Sequence, residues 1–512
     1  MAVSINSMET PAVAGLSLFD HAERVGVTVP TSCNKQGKCR ECIVEVVAGA
    51  EALSERTEEE RHLGEKFRLS CRARMVGDGE VRCHTMRRGN MRIEVTGRVG
   101  DLPHVARHGH GVAMDLGTTT IVLRLYKLEN GELIATTSLD NPQRFGGSDV
   151  MSRIHYDTNH PGRLLLRTLA GYLSRAIQEL PVEAKDIREL VVVGNSTMRD
   201  LFFRKSVYTI GQNPYRSITE VELAEGKRTT TALTETGRRS LLPIHPDAAV
   251  YGAPVLSGHV GADAAACMLA VDIANEERVV AVMDIGTNTE LIVGNRHRIL
   301  AASCPAGPAF EGGAITCGMP ALDGAIEDVR IEDDGTLRIG VIGGGEARGI
   351  CGSGLVDVLS EMLRMGWMNE LGRFDEIELA PGVRFTENDA SELAQAKGAH
   401  VAGMQIVCET YGIDLQDIDV FYLAGGFGRH LKVDAARRIG LIPDLPDAKI
   451  VQAGNAAIEG AAMLLLDPGK RRELEELVKR VEHCRLETHP RFFDYFVEGC
   501  QFRRVERLAH HA

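Results

Sequence analysis

Three cysteines crowd into CNKQGKCREC as Cys33, Cys39 and Cys42, and a fourth, Cys71, follows in FRLSCRA. No extended strand or helix brings the thiols of a C-x5-C-x2-C run to one point, so the chain between them must wrap around what they hold. Four thiolates in this order suit a two-iron, two-sulfur cluster. The plant-type pattern is C-x4-C-x2-C with a distant fourth cysteine, and the first gap here is one residue longer. Gly37 and its small polar neighbours would let backbone N–H groups point at cluster sulfurs and tune the potential. A tetrahedral zinc site is the alternative, although zinc knuckles usually present two short pairs. Cys83 reads as a packed thiol, and Cys304, Cys317 and Cys351 are too widely and irregularly spaced for a second metal site.

A second set of residues has the chemistry of phosphate binding. In MDLGTTT, Asp115 ends an apolar strand, and Gly117, Thr118, Thr119 and Thr120 form a tight hairpin. Such a turn offers backbone N–H groups and hydroxyls to phosphate oxygens, while the carboxylate holds magnesium through water. MDIGTNTE repeats the device with Asp284, Gly286, Thr287, Asn288, Thr289 and Glu290. Asp115, Asp284 and Glu290 are the candidate catalytic carboxylates, and Glu311 is available in the same cleft. Further on, LAGGFG places Gly425, Gly426 and Gly428 where a purine and ribose could approach the backbone closely. A Walker loop is absent, and so is a dinucleotide fingerprint, which excludes a P-loop or Rossmann site.

The elements that must position these residues can be read from the rest of the chain. Its 512 residues, 44% hydrophobic and 25% charged, can bury more than one core. SLFDHAERVGV signals one short helix ahead of the cysteine loop, within a strand-rich segment over residues 1–95. GRVGDLPHVARHGHG reads as a linker, taken as residues 96–110. Residues 111–512 read as a long α/β region in which the two Asp-Gly-Thr turns mark an internal duplication, two lobes facing one cleft. VVVGNSTMRDLFF and VQAGNAAIEGAAMLL each give strand, turn and helix. The net charge of −13 argues against a nucleic-acid partner. The N-terminus lacks a signal peptide's features and no apolar run is long enough for a membrane, so a cytoplasmic location is expected. In that compartment twelve cysteines do not suggest a disulfide framework.

The ordered set DLGTTT, DNPQRFGGSDVMSRI, GNSTM, GHVGADAAA, DIGTNTE, CPAGPAFEGG, GICGSG, LAGGFG and GNAAIEGA resembles the actin-like ATPase module of the reductive activators of corrinoid proteins. With the N-terminal cysteines, the chain is similar to the subgroup that carries a 2Fe-2S ferredoxin domain. The resemblance implies an α/β multidomain fold: a β-grasp ferredoxin-like domain, then the two-lobed architecture of actin, sugar kinases and heat-shock chaperones. Asp115, Gly117, Thr118 and Thr119 match its first phosphate motif, Asp284, Gly286, Thr287 and Asn288 its second, and Gly425, Gly426 and Gly428 its adenosine motif. It further implies ATP, magnesium and one 2Fe-2S cluster as cofactors, and ATP-dependent reduction of Co(II) to Co(I) in a corrinoid protein of a methyltransferase system. An upstream electron donor is then required, a homodimer is left open, and the ferredoxin domain is expected to swing on its linker. The segment between Cys71 and Asp115 is short for a separate middle domain. RFFDYFVEGCQFRR near the end has no Cys-x2-Cys runs, so it lacks the 4Fe-4S clusters of another activator subgroup. Two other readings remain open: an ATP-gated donor to another low-potential enzyme, and a metabolite kinase using Asp263 or Glu290 as base.

Overall fold

The computed structural model describes residues 2–77, 79–86, 102–426 and 431–506. The N-terminal sheet contains β1 (Ala2–Ile5), β2 (Met8–Pro11), β3 (Ile43–Ala48), β4 (Phe67–Leu69) and β5 (Val81–Thr85) in the order β2-β1-β5-β3-β4. The β1–β5 pair is parallel and its neighbours are antiparallel, with α1 (Leu18–Arg24) laid across the sheet. The helix starts where the sequence signals it, because Ser17 and Asp20 form a reciprocal capping box, and Leu18, Phe19 and Ala22 supply its buried face. The cysteine loop fills the connection between α1 and β3.

The remaining chain carries two sheets of one design. The first holds β6 (His110–Leu116), β7 (Thr120–Lys127), β8 (Glu132–Asp140), β9 (Ile187–Val193), β10 (Leu233–Thr236) and β11 (Ala249–Gly252), ordered β10-β11-β9-β6-β7-β8. Its helices include α2 (Val150–Asn159), α3 (Leu164–Gln178), α4 (Ser196–Phe202), α5 (Ile218–Ala224) and α6 (Ala262–Ala270). The second sheet begins with the meander β12 (Val280–Asp284), β13 (Thr289–Gly294) and β14 (Ile299–Cys304). A small sheet of β15 (Ala325–Ile331), β16 (Leu337–Val341) and β17 (Gly349–Ile350), the helix α7 (Gly352–Arg364), the hairpin β18 (Ile377–Ala380) and β19 (Val383–Phe385), and α8 (Glu387–Tyr411) follow. The chain then adds β20 (Val420–Ala424), α9 (Val433–Arg438), β21 (Lys449–Gly454), α10 (Ala456–Leu466), α11 (Gly469–Leu477), β22 (Val481–His483) and α12 (Phe492–Gly499).

The second sheet runs β21-β20-β12-β13-β14-β22. In both sheets an antiparallel three-strand meander is extended by two strands parallel to its first member. The repeated Asp-Gly-Thr motif is therefore a repeated fold. The equivalent helices α6 and α10 pack on each other, and they are built from small residues for that reason. A Cβ on Gly460 would stand 2.1 Å from the Ala266 carbonyl oxygen, so only glycine permits this crossing.

The N-terminal domain is docked on the first lobe and shares one continuous core with it. Arg144 pairs with Glu45, Arg167 Nη2 lies 3.1 Å from Glu41 Oε1, and the Met86 amide donates to the Tyr172 hydroxyl at 3.3 Å. The expected swinging arrangement is thus found here in a docked position. The linker beyond residue 101 is tied down as well: Arg107 reaches Glu189 at 2.7 Å and the Leu466 carbonyl at 3.1 Å. The part of the linker over residues 96–101 lies outside the described residues. Among the described residues, no helix is long and apolar enough to cross a membrane.

His400 in α8 lies beneath the second phosphate strand, its Nε2 2.8 Å from the Thr289 hydroxyl and its ring stacked on Phe310. Burial, then the Lys397 ammonium, pushes its pKa down to about 3. The folded value lies below the unfolded one, so the stabilisation is complete above pH ~6.5 and is lost as pH falls toward about 3, amounting to about 1 kcal/mol by pH ~5.5. Denaturant midpoints measured from pH 7 to 5 will decline, and the H400Q variant will decline less steeply.

Candidate functional site

The cysteine loop wraps by visiting left-handed backbone at Asn34, Lys35, Gly37 and Arg40. Gly37, at φ +74°, sits where a side chain would be strained, and its Cβ would displace the Arg72 guanidinium, whose Nε is 2.3 Å away. Lys35 anchors the loop to α1, 2.9 Å from Asp20 and 2.6 Å from Glu23, and Arg72 donates to the Gln36 carbonyl. The four thiols form two pairs. Cys42 Sγ and Cys71 Sγ are 3.3 Å apart, while the Thr31 hydroxyl lies 4.0 Å from Cys33 Sγ and 3.8 Å from Cys39 Sγ.

Two thiolates to each of two irons is the donor set of a 2Fe-2S centre, so the residues fit that group better than a single zinc. Among the described residues no three His, Cys, Asp or Glu side chains converge tightly enough for one ion. Burial works against the Cys33 thiolate, but backbone and thiol hydrogen bonds from Cys39 and a backbone bond from Gln36 outweigh it and bring its pKa down to about 7. In the inner pair, the hydrogen bond from Cys42 lowers Cys71, and the same bond together with burial raises Cys42. Cys83 is buried in β5 and takes no part, in line with its reading as a packed thiol.

The second centre lies between the lobes. Asp115 closes β6 and Asp284 closes β12, and each is held by the other lobe: Asn455 Nδ2 donates to Asp115 Oδ2 at 2.8 Å, and Cys267 Sγ donates to Asp284 Oδ2 at 3.2 Å. Burial, reinforced by Asp284, lifts the Asp115 pKa to about 7. Asp263 is raised to about 7 by burial and by both aspartates, and burial also raises Asp284. Glu290 points from β13 into the same group, receives the Ser303 hydroxyl at 3.3 Å, and is raised by burial, Asp263 and Asp284. A magnesium ion that keeps most of its waters and takes phosphate oxygens suits such a loose carboxylate set.

Above these carboxyls the two turns touch. The hydroxyls of Thr119 and Thr287 are 2.8 Å apart, and both donate to Glu311 Oε2, at 2.9 and 2.6 Å. Thr118 accepts from Asn195 at 2.8 Å, Thr120 opens β7, and Gly117 is pressed against the Thr120 carbonyl. Gly286 and Asn288 complete the second turn. Gly425, at φ +104°, lies so close to the second strand that a Cβ would stand 2.3 Å from the Ile285 carbonyl oxygen and 3.1 Å from Asp284 Oδ1. Gly426 has open space beside it, and Gly428 lies outside the described residues. Apart from Gly428, the structure gathers the residues singled out in the sequence into two centres. Asn455 and Cys267 were missed. The Gly-Asn pair that opens each of the GNST and GNAA turns was the available signal for Asn455.

A paired-thiol domain docked on the first of two lobes of repeated design, with the phosphate turns meeting between them, defines an ATPase of the actin and sugar-kinase type joined to a 2Fe-2S domain. Family models agree segment by segment. Residues 3–76 match the 2Fe-2S iron-sulfur cluster binding domain, 110–276 the RACo middle region, and 278–511 the C-terminal domain of RACo, the ASKHA domain. The middle-region match spans the first lobe. The chain is 30% identical over 429 residues to the corrinoid activation enzyme RamQ of Eubacterium limosum, covering 77% of this chain and 70% of that one. It is 27% identical over 418 residues to the Co(II) methylated amine-specific corrinoid protein reductase of Methanosarcina barkeri, covering 76% of each. A solved reductive activator for corrinoid, iron-sulfur protein shares the fold, with a TM-score of 0.73, 24% identity and 98% of each chain covered. The chain belongs to the RACo family.

Substituting Cys71→Ala will remove most bound iron and the visible absorbance of anaerobically purified protein, whereas Cys83→Ala will keep both. In the cleft, Gly425→Ala will weaken ATP binding at least tenfold in a calorimetric titration and leave the visible spectrum unchanged.

Proposed function

We propose that this protein is an ATP-dependent reductase that activates a corrinoid protein of a methyltransferase system, returning inactive Co(II) to Co(I), and that it works in the cytoplasm. In this reading residues 1–95 carry the electron, 96–110 connect, and 111–512 form the ATPase. Cys33, Cys39, Cys42 and Cys71 hold the cluster. The turns at Gly117–Thr120 and Gly286–Asn288 hold phosphate, Gly425, Gly426 and Gly428 face the adenosine, and Asp115, Asp284 and Glu290 serve the magnesium and the hydrolytic chemistry. An upstream donor reloads the electron. The observation that carries this reading is the docking of the paired-thiol loop on the lobe that supplies the first phosphate turn.

When bound, the cluster supplies one electron at about −400 mV, the range of plant-type centres. A lower Co(II)/Co(I) couple makes the transfer uphill, and the residues of the cleft are what can correct this. Closure of Thr119 and Thr287 around the nucleotide fixes one lobe geometry, and that geometry must favour one cobalt state of the partner over the other, because equal binding shifts nothing. A coupling of roughly 3 kcal/mol offsets on the order of 130 mV. The docked domain meanwhile keeps Cys33 half-exposed and the other three thiols buried, which gives the centre one side nearest to solvent.

The test is the visible spectrum of the anaerobic protein mixed with a Co(II) corrinoid protein and a reductant, with and without ATP. The Co(I) band will appear only with ATP. Equal reduction without nucleotide overturns the gating, and a reducible cluster with no cobalt change reassigns the electron to a different acceptor.

A further inference from the structure

Arg153 is among the largest fully buried side chains of the described residues, with 1% of its surface exposed, and it lies in α2 behind the first phosphate turn. Arg199, equally buried, is neutralised by Asp200 at 2.6 Å. Arg153 is not neutralised in this way. Its Nε donates to the Gly147 carbonyl at 3.0 Å and its Nη1 faces Met198 Sδ at 3.1 Å. Among the described residues no carboxylate forms a contact ion pair with it.

The guanidinium is close to the chemistry. Met198 Sδ also meets Asn141 Nδ2 at 3.7 Å, and that same nitrogen donates to the Gly117 carbonyl at 2.8 Å, while the Asn141 amide donates to Thr119 O at 2.7 Å. Burial opposes the charge of Arg153, and the carboxylates that favour it are Asp149 and, across the cleft, Glu311. Glu311 is also the carboxylate that gathers the Thr119 and Thr287 hydroxyls. One anion thus takes donors from both phosphate turns within electrostatic reach of an unneutralised buried arginine. A tight turn aims that arginine: Gly147, at φ +142°, would place a Cβ 2.2 Å from Ser152 Cβ.

A buried cation without a contact ion pair is costly, and an anion received beside it would offset that cost. The planar fork of arginine matches phosphate oxygens in a way that a point charge does not. We propose that Arg153 receives the terminal phosphate of the nucleotide, and that Glu311 holds the same hydroxyl donors as an internal stand-in for that phosphate in the closed cleft. This rests on reading the cleft as a nucleotide site and adds the residue by which the protein tells ATP from ADP.

The test is titration of the full chain, cluster intact and magnesium present, with ATP and separately with ADP. Arg153→Gln will lower ATP affinity at least tenfold and leave ADP within about twofold, abolishing the discrimination. Arg153→Lys, which keeps the charge and loses the fork, will lower ATP less and leave ADP unchanged. It decides the question if the glutamine variant lacks the visible spectrum of a folded protein. Equal losses for both nucleotides would make Arg153 a mere tie on the Gly147 turn and overturn the proposal, as would unchanged ATP binding. If the unaltered chain binds neither nucleotide, the cleft reading fails and this inference fails with it.

Discussion

Four carboxyl groups, Asp115, Asp263, Asp284 and Glu290, crowd the floor of one cleft, and their hydrogen-bond partners are neutral. Burial raises the pKa of all four, and repulsion between like charges adds to the rise at Asp115, Asp263 and Glu290. Everything around them serves that concentration. The duplicated sheets deliver one aspartate from the end of each first strand, and the α6–α10 contact fixes the distance between the sheets. The glycines at 425 and 460 remove the side chains that would keep the backbones apart. A divalent cation with its water and phosphate ligands is the natural counter-charge to such a floor.

The second constraint is where the electron carrier sits. A tethered domain could occupy many positions, but here two arginines of the first lobe grip Glu41, within the cysteine loop, and Glu45, just beyond it, and an apolar core continues across the junction. Arg144 belongs to the same short segment as Asn141, whose side chain and amide brace the first phosphate turn. Only two residues of chain, Pro142 and Gln143, therefore separate the grip on the carrier from the brace on the nucleotide turn.

Local spacing was enough to find the cysteine quartet, both Asp-Gly-Thr turns and the capped helix before the loop, because each depends on neighbours a few residues away. The internal duplication was legible for the same reason, as one motif seen twice. The partners of those residues were not. Asn455 reaches Asp115 across 340 residues, and Cys267 acquires its role only when the lobes face each other. Nothing in the local sequence marks Arg153, whose burial without a contact ion pair is visible only in the structure. The docked position of the N-terminal domain likewise rests on tertiary ion pairs and a shared core, neither of which has a period to read.

The crossed bonds on the two aspartates have a consequence for proton traffic. Asp115 is held by Asn455 and Asp284 by Cys267, each from the opposite lobe. Any rotation of the lobes that parts these bonds also admits water to carboxyls whose pKa values burial raises, that of Asp115 to about 7. Opening and acid release are then a single event. The breathing of this cleft is an exchange of hydrogen ions with the medium, and the buffer takes part in the cycle together with the nucleotide.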